Sequence, residues 1–213
     1  MDEPIFFMAR DFKPKGHQPG THPDLQKVKS MIYEEDYAAF ESFTPTYSLQ
    51  LSADQPTLFY PGSGCDILMS LLYIEKLFPT IKDFTFLFID VEPFLPLIKT
   101  ILDDVDIPFT NTKEGIIFYW KNQKITLHYQ AKDVFSSLTD LKPFDIYFEK
   151  AFRIIKEESM NVEEYEYKII QKLNPSGIII SDSGFQNQEL EYYKIPRELS
   201  SYSEMVLVQK KEV

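Results

Sequence analysis

The chain has 213 residues, of which 44% are apolar and 15% aromatic, a composition typical of one globular domain and not of a disordered chain. A formal net charge of -11 argues against nucleic acid as a partner, because phosphate binding depends on clustered Lys and Arg. The single cysteine, the lack of signal-peptide features in "MDEPIFFMARDF" and the lack of any run approaching the roughly 18 apolar residues of a membrane span lead us to expect a cytoplasmic protein without a membrane partner.

The first 50 residues differ from the rest of the chain. Residues 13–24, "KPKGHQPGTHPD", combine Pro, Gly, His and Thr without a period and are typical of a loop. Residues 24–43 carry apolar side chains at an imperfect helical spacing, which predicts one helix. We interpret residues 1–50 as a cap made of this loop and helix, and residues 51–213 as the main domain.

From residue 57 onward, short apolar strands alternate with helical patterns, which is typical of βαβ units and a mostly parallel sheet. The strands are nearly continuous apolar runs, as expected when helices cover both faces of the sheet. Two further strands near the end of the chain have no helix between them, so we expect them to pair antiparallel. The predicted fold class is therefore α/β, with a doubly wound, mostly parallel sheet and a C-terminal antiparallel strand pair. The predicted strands cover residues 57–60, 84–89, 124–129, 144–149 and 177–182, with a hairpin strand at "GIIFYW" and the terminal pair at "LEYYKI" and "EMVLVQK".

The run "YPGSGCD" is the turn between the first of these strands and the helix after it. In an open parallel sheet, ligands bind near such turns, and Gly62 and Gly64 allow a ligand to approach the backbone closely. The alternative is a tight turn without a ligand. In that case Ser63 and Asp66 match the S-x-x-D capping box, which satisfies free N–H groups at the start of a helix.

Asp90 ends the next strand, in the run "FLFIDVEP". A carboxylate at this position accepts hydrogen bonds from the hydroxyls of a ribose in dinucleotide sites. The alternative role is that of an N-cap for the helix predicted in "VEPFLPL". The sequence leaves both roles open.

In this order, these segments resemble the Rossmann-like (class I) S-adenosylmethionine-dependent methyltransferases. "LFYPGSGCD" is similar to the first motif of that family, and "FLFIDVEP" is similar to the second, including the proline shortly after the acid. "YQAKDVFSSL", "KPFDIYFEKAF" and "IIQKLNPSGIIISDS" are similar to the motifs that follow. The resemblance covers residues 57–210, rests mainly on the order of the motifs, and implies a seven-stranded sheet.

The resemblance implies S-adenosylmethionine as the cofactor. It assigns Asp90 to the ribose, with Val91 beside it in the cofactor site. Gly62 and Gly64 correspond to the turn against which the amino-acid part of the cofactor lies. Asp133 corresponds to the acid near the adenine amino group.

Two positions depart from the family pattern. The family usually has an acid at the end of the first strand, near the methionyl part of the cofactor, where this chain has Tyr60; Asp66 replaces the third glycine. Asp66 is a candidate to supply that carboxylate from one turn further on, so the predicted cofactor site includes both residues. Asp66 at a helix N-terminus would also repel the pyrophosphate of NAD, which favours S-adenosylmethionine. The same departures favour an alternative, a non-catalytic binding module that has kept the sheet and lost the cofactor.

Methyl transfer depends on positioning and on the exclusion of water more than on a base, so the sequence indicates no definite catalytic residue. The resemblance implies that Glu149, Lys150 and Phe152 face the acceptor, which makes Glu149 a weak candidate for a general base. A solvated strand-end carboxylate or a helix cap is the stronger interpretation of Glu149. We expect a small-molecule acceptor because the chain is acidic. Two loop histidines, His17 and His22, are too few to indicate a metal site, and no pattern indicates an oligomeric state.

Overall fold

The computed structural model describes residues 8–11, 13–199 and 205–211. The predicted lack of a signal peptide and the start of the predicted cap fall partly on residues 1–7 and 12, which lie outside these ranges. No helix in the described part of the chain is long and apolar enough to cross a membrane. The strands are β1 (Thr57–Pro61), β2 (Asp83–Asp90), β3 (Phe109–Asn111), β4 (Gly115–Trp120), β5 (Gln123–Ala131), β6 (Phe144–Glu149), β7 (Leu173–Ser181), β8 (Leu190–Tyr193) and β9 (Val206–Lys210). The helices are α1 (Leu25–Ser30), α2 (Glu34–Ser42), α3 (Ile67–Leu77), α4 (Leu95–Asp104), α5 (Val134–Ser137), α6 (Arg153–Ser159) and α7 (Val162–Lys172), with a 3-10 helix at Arg197–Leu199.

These strands form one nine-stranded sheet in the order β3-β4-β5-β2-β1-β6-β7-β9-β8. The central strands β5, β2, β1, β6 and β7 are parallel, and β9 pairs antiparallel with β7 and with β8. The predicted fold class is confirmed, including the C-terminal antiparallel pair. The sheet has nine strands where the family resemblance implied seven, because β3 and β4 add an antiparallel edge beside β5. The pattern "GIIFYW" indicates β4, whereas β3 has only three residues and leaves no pattern to detect.

Helices cover both faces of the sheet. Tyr60 and Phe148 belong to the buried cluster that includes α3 and α4, whereas Phe59 and Tyr147 belong to the cluster that includes α7. Successive residues of a strand thus enter opposite cores, as the alternation of side chains along a strand requires. The strand order reverses between β1 and β6, so the carboxyl ends of these two strands flank the crevice in which open α/β sheets bind ligands.

The single helix predicted over residues 24–43 is wrong, because the structure has two helices, α1 and α2, separated at residues 31–33. The hydroxyl of Ser30 donates to the Lys27 carbonyl, and α1 ends at this point. The second helix opens with three acids, Glu34–Asp36, which complement the positive end of its dipole. Two short helices with their own termini therefore replace one longer helix.

The opening segment packs on the main domain. Val28 of α1 and Phe40 of α2 are buried in the same cluster as α3. Before these helices, Thr21 forms an isolated β-bridge with Lys121, at the turn between β4 and β5. The boundary that we place at residue 50, between the cap and the main domain, stays a prediction.

Candidate functional site

A cavity of about 470 Å³ lies at the carboxyl ends of β1 and β6, where the strand order reverses. The turn after β1 and the start of α3 line one side of it, and Lys150 and Ala151, which follow β6, line another. Residues 31–33 and Asp36, from the α1–α2 region, complete the lining together with Ile101 of α4. Small-molecule sites of proteins have volumes of roughly 300–1,000 Å³. The cavity is therefore the candidate functional site, whereas a larger cavity of about 730 Å³ beside α7 contains none of the predicted site residues.

The two glycines of the turn both have left-handed backbone, with φ of 56° at Gly62 and 53° at Gly64. A Cβ atom added at Gly62 would lie 2.3 Å from Cδ2 of Phe152, so this ring fills the space that we expected a ligand to use. No such neighbour lies within 4 Å of a Cβ added at Gly64. Among the described residues, the open side of the turn is thus at the second glycine.

Asp66 and Tyr60 lie together at the cavity. Asp66 is the N-cap of α3, where its Oδ1 accepts from the Met69 N–H at 3.1 Å and its Oδ2 accepts from the Tyr60 hydroxyl at 2.9 Å. Burial raises the pKa of Asp66, while the charge of Lys150 and the hydrogen bond from Tyr60 act in the opposite direction. The Asp66 carboxylate is therefore held beside Tyr60 at the end of β1.

The predicted S-x-x-D capping box is wrong, because the acid of that motif stands three residues inside the helix and Asp66 stands immediately before it. Ser63 is 3% exposed and lines the cavity. Its hydroxyl oxygen is buried without a hydrogen-bond partner among the described residues. A buried hydroxyl without a hydrogen-bond partner is unusual in proteins.

Asp90 joins the second motif to the first. Its Oδ2 accepts from the Gly64 N–H at 2.9 Å, and its Oδ1 accepts from the Glu92 N–H at 3.1 Å. The helix-cap alternative for Asp90 is wrong, because α4 begins at Leu95 after the N-cap residue Phe94. A carboxylate oxygen has two lone pairs, so each oxygen of Asp90 keeps one for a further donor.

Val91 and Asp133 lie outside the cavity lining, as does Asp90. Val91, immediately after Asp90, is 65% exposed. Asp133 is the N-cap of α5, and its Oδ2 accepts from the Ser136 N–H at 2.8 Å. The structure thus brings Tyr60, Gly62, Gly64 and Asp66 together in one cavity, places Asp90 in contact with that turn, and leaves Asp133 with a capping role.

Glu149 is neither a solvated carboxylate nor a helix cap, contrary to the stronger sequence interpretation. Its side chain is fully buried and forms an ion pair with Lys156 at 2.9 Å. The hydroxyls of Tyr147 and Ser183 donate to its two oxygens. Glu149 does not line the cavity, so the structure gives this carboxylate no contact with an acceptor there.

Two charged residues of the site come from segments far apart in the sequence. Nζ of Lys150 lies 3.5 Å from Oδ2 of Asp36, and the Lys150 side chain is 15% exposed. The motif after β6 indicated Lys150, but no sequence signal indicated Asp36, which stands among other acids at the start of α2. The cavity therefore presents one ammonium group and two carboxylates, those of Asp36 and Asp66.

No family model and no curated protein matches the chain. Solved structures that match it include several described as S-adenosylmethionine-dependent methyltransferases, one of them as class I. TrmN from Thermus thermophilus is 11% identical, with a TM-score of 0.44 over 74% of this chain and 44% of that chain. Precorrin-6y C5,15-methyltransferase from Geobacter metallireducens is 16% identical, with a TM-score of 0.42 over 86% of this chain and 92% of that chain. A methyltransferase from Thiobacillus denitrificans, solved with S-adenosyl-L-homocysteine, is 14% identical, with a TM-score of 0.39 over 81% of this chain and 57% of that chain.

The chain spans less than two thirds of the length of several of the structures that it matches, including TrmN. The identities and TM-scores are low, so the likeness assigns no ligand, activity or partner to this chain.

Proposed function

We propose that the protein binds S-adenosylmethionine at the edge formed by Asp90 and the turn after β1, and transfers its methyl group to a small molecule held in the cavity. The observation that carries the proposal is the hydrogen bond from Gly64 N–H to Asp90 Oδ2, which places the second motif against the open side of the first. This junction lies beside the point where the strand order reverses, the usual ligand site of such sheets, because β1 is the neighbour of both β2 and β6.

The residues at the junction fit the parts of this cofactor. The free lone pairs of Asp90 suit ribose hydroxyls, and the exposed Val91 side chain offers an apolar contact to the adenine. Asp133, which caps α5 from the loop after β5, keeps the role of a proposed partner for the adenine amino group.

The cavity suits the amino-acid end of the cofactor. The Lys150 ammonium, which lines the cavity, is a donor for a carboxylate. The Asp66 and Asp36 carboxylates are acceptors for an ammonium group. Both charges of an amino acid thus find an opposite charge on the cavity wall, as electrostatic complementarity requires.

The cofactor, when bound, supplies an electrophilic methyl group on its sulfonium. This chain's residues would hold the acceptor in line with that group and exclude water, which accounts for much of the acceleration that such a transfer needs. Because Glu149 is enclosed by its ion pair, we assign it no catalytic role.

We propose a small-molecule acceptor because most of the cavity wall away from the turn is apolar. The net charge of -11 supports this choice over a polyanion. A single cysteine, which cannot form an intrachain disulfide, supports a cytoplasmic location. The apolar wall is formed by Met31, Ile32, Leu68, Met69 and Ile101.

Calorimetric titration with S-adenosylhomocysteine tests the cofactor assignment without any knowledge of the acceptor. Asp83 and Asp90 stand at opposite ends of β2, so Asp83→Asn is a matched control for Asp90→Asn. We expect stoichiometric binding by the wild type, a loss of about tenfold or more in affinity for Asp90→Asn, which corresponds to ~1.4 kcal/mol, and no change for Asp83→Asn. Equal affinities for the two variants would remove Asp90 from the site.

One observation favours the alternative of a non-catalytic binding module. The Phe152 ring covers Gly62 and occupies the space through which a ligand would approach this part of the turn. This alternative predicts no heat from S-adenosylhomocysteine at any protein concentration, so the same titration decides between the two functions.

A further inference from the structure

A left-handed residue follows β6 and forms part of the cavity wall. Ala151 has a φ of 56°, a conformation that residues with a side chain adopt only when their surroundings hold them in it. The residue before it, Lys150, lines the cavity, and the residue after it, Phe152, covers Gly62. The conformation of Ala151 therefore decides where both neighbours point.

The contacts of Asp182 explain how this conformation is held. Both of its carboxylate oxygens accept from the Ala151 N–H, Oδ1 at 3.2 Å and Oδ2 at 3.0 Å. Asp182 itself is 6% exposed, and its own N–H donates to the Glu149 carbonyl at 3.3 Å. A carboxylate buried to this extent carries a desolvation cost, seen in the raised pKa of Asp182. This buried carboxylate is in direct contact with the turn after β6.

We propose that Asp182 is a positioning residue: by accepting the Ala151 N–H it holds the turn 150–152 in its left-handed form and so keeps Lys150 at the cavity and Phe152 on Gly62. The effect on the shape of the cavity is independent of any ligand. The effect on cofactor binding rests on the proposed function.

The single cysteine provides a readout of the cavity itself, because Cys65 lines it together with Ala151. The experiment measures the rate at which iodoacetamide alkylates Cys65 in the folded protein. We expect Asp182→Ala to raise this rate about fivefold. Losing a hydrogen bond of average strength raises the population of conformations in which the turn has left its left-handed form by about that factor. Asp182→Asn keeps one carbonyl acceptor for the Ala151 N–H, so its rate should rise less.

The decisive variant is Ala151→Gly in the Asp182→Ala background. Glycine adopts positive φ without strain, so the turn no longer needs the carboxylate to hold it. We expect the alkylation rate to return to within about twofold of the wild type. If Asp182 acted only by filling space, Ala151→Gly would leave the raised rate unchanged or raise it further, and the proposal would be overturned.

Folding is checked for every variant by circular dichroism, and Asp182→Asn with and without Ala151→Gly replaces the alanine pair if Asp182→Ala does not fold. Titration with S-adenosylhomocysteine of the same variants separates the two claims. Rescue of the alkylation rate without any binding by the wild type would keep the positioning role and reject the cofactor. Binding by the wild type without rescue would reject the positioning role alone.

Discussion

Phe152 lies against Gly62 so closely that a Cβ on the glycine would be 2.3 Å from Cδ2 of the ring. The ring also stacks with Phe135, with centroids 5.8 Å apart, and Phe152 is 1% exposed. The first glycine of the turn is thus required by the packing of the protein itself. The second glycine, Gly64, meets no such neighbour and faces the open side.

The first prediction compares the two glycines. Gly64→Ala should cost only the strain of a side chain at positive φ, ~1 kcal/mol of unfolding free energy. Gly62→Ala carries the same strain plus the displacement of a buried ring, and we expect a loss of about 3 kcal/mol. Urea denaturation monitored by circular dichroism measures both values.

The control for this comparison removes the ring. In a Phe152→Ala background, the steric part of the Gly62→Ala cost should disappear, so that the two substitutions are not additive. Full additivity would show that Phe152 is not the reason for the larger loss.

Sequence patterns predicted the central strands and the fold class because these features depend on local periodicity. The strands with continuous apolar runs can be recognised from the sequence alone, and so can α3 with its apolar face. The turn after β1 was likewise visible from its two glycines. The break between α1 and α2 was missed because the apolar pattern continues, imperfectly, across it. The short-range hydrogen bond of Ser30, found where α1 ends, leaves no signal in that pattern.

The roles of individual side chains were less predictable because many of their partners come from other elements of the fold. Nothing near Glu149 indicates that Lys156 and Ser183 enclose it, so a solvated carboxylate was the natural interpretation. The contact between Phe152 and Gly62 was missed for the same reason, because nothing in the sequence pattern connects these two residues. Asp90 lies beside the turn because the carboxyl ends of adjacent parallel strands meet at one edge of the sheet.

The second prediction concerns the buried ion pair between Glu149 and Lys156. Lys156 is 1% exposed and Glu149 is fully buried, with 2.9 Å between Nζ and Oε1. Lys156→Met leaves the carboxylate without its counter-charge, which should lower the free energy of unfolding by about 3–5 kcal/mol. Urea denaturation at neutral pH measures the loss.

The double variant Glu149→Gln with Lys156→Met serves as the control for that loss. Removing both charges avoids an unpaired buried ion, so the double variant should be clearly more stable than the single variant Lys156→Met. A double variant that is less stable than both single variants would contradict this account of the ion pair.

The third prediction follows from the raised pKa of Asp66, whose ordinary value is 3.8. Because burial raises the pKa, the folded state holds a proton on Asp66 at pH values where the unfolded state has released it. The unfolding free energy that Asp66 contributes therefore falls as the pH rises from 3.8 through the folded-state pKa. Asp66→Asn keeps an acceptor for the Met69 N–H and does not titrate, so its stability relative to the wild type should increase across that interval.

The hydrogen bond from Tyr60 lowers the pKa of Asp66, so a second variant can test the same prediction. Asp66→Asn removes the titration, whereas Tyr60→Phe should shift it. Tyr60→Phe removes the donor, so the folded-state pKa of Asp66 should rise further and the pH dependence of stability should extend to higher pH. Urea denaturation from pH 4 to pH 8 on the wild type, Asp66→Asn and Tyr60→Phe gives the three curves. A constant difference between the wild type and Asp66→Asn over the whole range would mean that Asp66 has an ordinary pKa in the folded protein. The carboxylate would then be better hydrated than its place between β1 and α3 indicates.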